Sequence, residues 1–86
     1  MHYSVEEADQ MNTILKYAIE HNLSSIVDLK VKQDVLPNIT QEECTRLLEI
    51  IALKIHSAKI PRGVSGGRYG IWISEDVKNF YKAGGF

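Results

Sequence analysis

The chain has 86 residues, 44% of them hydrophobic and 24% charged, and its ten Lys and Arg against eleven Asp and Glu leave a formal charge of −1. This length is below the roughly 100–200 residues typical of a domain, so residues 1–86 are expected to form a single domain with a thin core and no large enclosed active site. The near-neutral charge excludes a basic surface over the whole molecule, and any nucleic-acid contact must come from a local patch.

One cysteine, Cys44, cannot make an internal disulfide, so the covalent framework of small secreted domains is missing and a reducing cytoplasm is expected. Met1 to Glu7 has neither a basic start nor an apolar run, which argues against a signal or transit peptide. No stretch approaches the 18 or so apolar residues that cross a bilayer.

Ser4-Val5-Glu6-Glu7 is a capping box, with the serine hydroxyl placed to accept from an early helix N–H and Glu7 to reach back. Ala8, Met11, Leu15, Ala18 and Ile19 follow at spacings of three and four, predicting a helix from Val5 to about His21 with Asn22 as its left-handed stop. From Ser25 to Leu36 two periods compete. Val27-Asp28-Leu29-Lys30-Val31-Lys32 alternates like a strand, whereas Val27, Val31 and Val35 repeat every four residues. Ser25 as a cap and Pro37 as a stop favour a helix, with a strand over Ile26 to Val31 as the alternative.

Thr40 and Glu43 form a second capping box, and Cys44, Leu47, Leu48, Ile51, Ala52 and Ile55 keep one face apolar behind it. A helix is predicted from Gln41 to about Ser57, with Ile50 partly exposed or touching a neighbour. Pro61 to Gly70 is too rich in glycine for a helix and leads into Ile71-Trp72-Ile73, a strong strand former. With Gly66-Gly67 as a two-residue turn, a β-hairpin results in which Ile60 faces Ile73, Ile71 and Ile73 point inward, and Trp72 points outward. Ser74-Glu75-Asp76 then caps a short helix carrying Val77, Phe80 and Tyr81 on one face, and Gly84-Gly85 closes it.

The segment Asn38-Ile39-Thr40-Gln41-Glu42-Glu43-Cys44-Thr45-Arg46-Leu47-Leu48 is similar to the start of a recognition helix. Tyr69-Gly70-Ile71-Trp72-Ile73-Ser74-Glu75-Asp76 is similar to a last wing strand entering a capped helix. With the ending Phe80-Tyr81-Lys82-Ala83-Gly84-Gly85-Phe86, the chain resembles small bacterial winged-helix domains over its whole length. The resemblance implies an α+β fold of three helices followed by a β-hairpin wing and a short C-terminal helix. It also implies double-stranded DNA as partner, with the third helix in the major groove and the wing on the backbone. The sequence departs from that pattern at Gln41-Glu42-Glu43, where two acids stand at the helix end that approaches phosphates.

The charge is unevenly spread. Residues 1–49 hold four basic and nine acidic side chains, whereas residues 50–74 hold Lys54, Lys59, Arg62 and Arg68 and no acid. Candidate nucleic-acid contacts are therefore Arg46, Lys54, Lys59, Arg62 and Arg68. The alternative is a solvated hairpin whose cations meet acids of its own fold or of a protein partner. Trp72, on the outer side of the hairpin, is the candidate protein-interface residue, in contact with a second copy or another protein. A homodimer through the Trp72 side or the N-terminal helix is expected, against a monomer in which Trp72 covers Pro61 and Phe86.

The glycines of residues 63–70 lack the Lys-Ser/Thr pair and following helix of a phosphate loop. His2, His21, His56 and Cys44 have no metal-ligand spacing. Nothing resembles a catalytic set. The sequence is thus read as a binding module and not an enzyme, without cofactor or metal.

Overall fold

Ser4 starts the first helix, α1 (Val5–Glu20), through its complete capping box: the Glu7 N–H donates to Ser4 Oγ at 3.1 Å and the Ser4 N–H donates to Glu7 Oε1 at 2.9 Å. In this computed structural model, which describes residues 3–60 and 69–86, the predicted left-handed stop stands at Asn22, with φ 54°. The box at Thr40 likewise opens the long helix α3 (Gln41–Lys54). Ser74 Oγ accepts from Val77 N–H to open α4 (Glu75–Lys82), and Gly84 and Gly85 follow it with positive φ.

The ambiguous segment is strand and helix in succession. Ser25–Val27 forms strand β1, and Asp28–Lys30 begins a helix, α2, that continues as a wider π-helical turn over Val31–Val35. Both expectations are therefore corrected: the strand covers only Ser25–Val27, so neither a helix from Ser25 nor a strand reaching Val31 forms, and the alternating run from Asp28 onward is helical, in keeping with the four-residue period of Val27, Val31 and Val35. Pro37 disfavours helical geometry at Leu36, and the Leu36 N–H closes the turn on Val31 O at 2.7 Å.

β1 pairs antiparallel with β2 (Gly70–Trp72), placing Ser25 opposite Trp72, Ile26 opposite Ile71 and Val27 opposite Gly70. Lys59 bridges Ile71 along the other edge of β2. The expected hairpin register is thereby corrected: Lys59 takes the position opposite Ile71, so Ile60 does not face Ile73. Ile73 is drawn toward β1, donating its N–H to Ser24 O at 2.8 Å. The predicted Gly66-Gly67 turn lies outside the described residues.

α3 also ends earlier than expected. Ile55 is extended, and a 3-10 turn covers His56–Ala58. Ser57 Oγ donates to Asp76 Oδ2 at 2.8 Å and lies 2.8 Å from Ser74 Oγ, which ties this turn to the start of α4 and not to a longer α3.

Among the described residues the fold is thus α+β, four helices with a small antiparallel sheet. Met11, Leu15, Leu47, Leu48, Ile51, Ile55, Ile71, Ile73 and Val77 are buried as expected, whereas Ile19 and Phe80 are half-buried at the margin. Ile14 and Ile50 are buried too, because α1 packs against both α3 and α4 and α3 against α1, α2 and β2. Each helix therefore needs a wider apolar face than one stripe. Leu48, fully buried at this junction, should cost about 2–5 kcal/mol on truncation to Ala in urea denaturation. A loss below about 1 kcal/mol would be that of an exposed position.

Candidate functional site

The solvent side of α3 carries a stripe. Glu42, Arg46, Glu49 and Leu53 stand at spacings of four, three and four, all exposed. That stripe holds two acids, one base and one leucine, and Glu43 and Lys54 are exposed beside it on the longest capped helix after α1. The base is already engaged: Arg46 pairs with Glu7 of α1, whose other carboxylate oxygen caps Ser4. The pair is half-exposed, so its worth to stability is small, about 0–1 kcal/mol. Its effect on the surface is larger, because it neutralises the stripe's central cation.

Of the other candidate contacts, Lys54 closes α3 and lies eight residues beyond Arg46, about 12 Å along the helix axis. Lys59 is exposed where the chain meets β2. Arg62 and Arg68 lie outside the described residues. The described part of the acid-free stretch therefore gathers Lys54 and Lys59 on either side of the 3-10 turn, and Arg46 stands apart from them on the acidic stripe. Glu49 extends the influence of that stripe to the base of β2: burial first, and then the Glu49 charge, raises the pKa of the Tyr69 hydroxyl and so disfavours its ionisation.

Trp72 is 44% exposed, as its place in the alternation predicts. Phe86 does not cover it, for the Phe86 ring packs edge-on against Tyr3 at 5.5 Å and Phe80 at 4.9 Å. Pro61 lies outside the described residues. A second apolar surface, which the sequence reading missed, joins Tyr3, Ile50, Leu53 and Lys54 in an open groove at the α1–α3 end. Leu53, 55% exposed at the end of the acidic stripe, was the available signal.

Asp28 was also missed. It is the only buried charged side chain among the described residues, and it joins three elements. Its carboxylate Oδ2 accepts from Thr45 Oγ1 of α3 at 2.6 Å and from the Tyr69 N–H at 3.3 Å, while its own N–H donates to Tyr69 O at 2.8 Å. Thr45 Oγ1 also lies 3.1 Å from Gln41 O, but a hydroxyl has one proton, and the shorter, charge-assisted bond to Asp28 takes it. The negative charge further sits at the amino end of the helical turns 28–35, where backbone N–H groups favour it. Asp28 Oδ1 is buried without a partner among the described residues. The arrangement acts as a structural clamp between α2, α3 and the start of β2.

Cys44 is fully buried, and burial raises its thiol above the ordinary range, with Lys32 offsetting part of the effect. Such a thiol is a packing group. Among the described residues no three His, Cys, Asp or Glu side chains gather to hold a metal ion, and no helix is long and apolar enough to cross a membrane. In comparisons with protein-family models, curated proteins and solved structures, nothing matches the chain.

Two measurements check this local chemistry. Thr45→Val leaves the Asp28 carboxylate short of a donor and should lower unfolding stability by about 1–3 kcal/mol, while Thr45→Ser, which keeps the hydroxyl, should recover most of it. Equal losses in both variants would assign the effect to packing. Labelling of Cys44 by a disulfide reagent should follow global unfolding with denaturant; rapid labelling of the folded chain would contradict its burial.

Proposed function

We propose that this chain is a winged-helix binding module whose target is protein and not DNA. What supports the fold part of the reading is the element order. A first helix leads into a short strand, two further helical segments follow, and the strand after the first helix pairs with β2 while Lys59 flanks β2 on its other edge.

One observation carries the choice of target: the outward stripe of α3 reads Glu42, Arg46, Glu49, Leu53, with Arg46 already bound by Glu7. In a winged helix the third helix is the element that would enter a DNA groove, where phosphates line both rims. Two carboxylates facing them repel, and freeing Arg46 for a phosphate would leave Glu7 unpaired beside the duplex. A protein surface imposes neither cost. Apolar side chains stand ready for one, with Leu53, Tyr3 and Trp72 all more than a third exposed. Trp and Tyr are among the residues that most often anchor protein interfaces.

The acid-free stretch 50–74 favours the second reading, phosphate contact by Lys54, Lys59, Arg62 and Arg68 alone. Four contacts of this kind would give weak, strongly salt-dependent binding. A mobility-shift titration on mixed genomic fragments at low salt separates the readings. No shift up to high micromolar protein is expected. A shift that collapses as salt rises and disappears when Arg62 and Arg68 are both changed to Ala would establish the wing as a DNA contact and overturn the protein reading.

A further inference from the structure

The groove between the start of α1 and the end of α3 is lined by Tyr3, Ile50, Leu53 and Lys54 and encloses about 240 Å³. That is below the roughly 300–1,000 Å³ of small-molecule sites, and the groove is open, so it suits one inserted side chain better than a ligand. Its wall is fixed in advance. The Tyr3 ring is backed edge-on by Phe86, and Phe86 is held by Asn12, which accepts from the Phe86 N–H at 2.8 Å and donates Nδ2 to the Phe86 carbonyl at 3.4 Å. A preformed wall spares an incoming partner the entropy of ordering it.

Two residues from Tyr3 stands Val5, 81% exposed at the first position of α1. A β-branched residue there is a mediocre helix former and buries almost nothing, so the single chain gains little from it. Next to it Glu6 is exposed, and Lys54 is exposed at the rim of the groove; among the described residues neither has an ion-pair partner. Val5 and Glu6 follow Tyr3 within three residues, so the projecting residue and the acid stand at the same end of the molecule as the groove and the Lys54 at its rim.

We propose that this patch is the contact of a two-fold homodimer, in which Val5 of each chain enters the groove of the other and Glu6 meets the partner's Lys54. The proposal rests on the protein-target reading and names the partner as a second copy. A contact closes on itself around a two-fold axis only when the projecting and receiving parts belong to one surface; placed apart, they would build an open chain of copies. Here both belong to the α1–α3 end. The charges agree with this pairing, since two-fold rotation sets the Glu6 end of one patch against the Lys54 end of the other and makes the attraction twice. A stable dimer covers about 800 Å² per partner, roughly 15% of the 5306 Å² that one chain exposes, so one end of the molecule suffices. Trp72, across from Ser25 on the sheet, stays outside the contact and free for another partner.

Sedimentation velocity of the full chain over micromolar to millimolar concentrations reads the result. The mass is expected to rise from 9.7 kDa toward that of two chains. Val5→Asp puts a charge into the groove while remaining favourable at a helix amino end, so it should keep the fold and weaken association roughly tenfold or more. Glu6→Lys and Lys54→Glu should each weaken it, and the double exchange should restore it. Circular dichroism of every variant separates loss of contact from loss of fold. A mass fixed at one chain to millimolar concentration overturns the homodimer, yet leaves the protein-target reading standing, because that reading falls only to a salt-sensitive DNA shift. Dimers unaffected by Val5→Asp, or abolished by Trp72→Ala, overturn the assignment to this patch.

Discussion

The buried carboxylate of Asp28 is the point on which the arrangement of elements depends. A carboxylate removed from water is costly unless donors replace the lost solvent, so the position is tolerated only where Thr45 and Tyr69 are brought to it. Those two residues come from α3 and from the chain entering β2, 17 and 41 positions away. Satisfying one side chain therefore fixes how the strand-to-helix junction at Val27–Asp28 sits against both. The backbone bond from the Asp28 N–H to Tyr69 O continues the β1–β2 ladder by one step, so side chain and sheet act at the same place. Misplacing α3 would cost the clamp its best donor and leave a charge in the core.

Glu7 serves two levels of structure with its two oxygens. One caps α1 through the Ser4 N–H, a local signal within four residues, and the other meets Arg46 across the α1–α3 contact. Because capping already holds the Glu7 side chain in place, little further entropy is lost when Arg46 joins it. This tertiary pairing, together with Glu42 and Glu49, gives the exposed side of α3 its acidic character. The capping box read in the sequence is thus one source of the electrostatics that argue against phosphate contact.

What was legible in the sequence follows from the range of the interactions involved. The caps at Ser4, Thr40 and Ser74 and the stop at Asn22 act within a few residues, and each stands where the sequence places it. The main apolar faces were legible for the same reason, through helical spacing. β1 was legible only as an alternative, a strand over Ile26 to Val31, because a three-residue strand is held by β2, 45 positions away, and no local propensity decides for that pairing. Ile14 and Ile50 were under-read because burial on a second flank depends on which helices become neighbours. For the site, Arg46, Lys54 and Trp72 were named from type and position. The pairing of Arg46 with Glu7, the role of Asp28 and the groove at Tyr3 and Leu53 all arise between elements distant in sequence.

The tail after α4 links the fold to the proposed contact. Gly85 has φ 71°, a conformation costly for side chains, and a Cβ there would collide with the Asn12 amide oxygen that accepts from the Phe86 N–H. Only glycine lets the backbone turn so closely under α1 and bring Phe86 between Phe80 and Tyr3. The aromatic ring of Tyr3 would otherwise lie before the cap of α1 with nothing behind it. Held by Phe86, it becomes one wall of the groove whose floor is Ile50 and Leu53. The same short tail that completes the margin of a thin core thereby shapes the surface on which a second chain would rest.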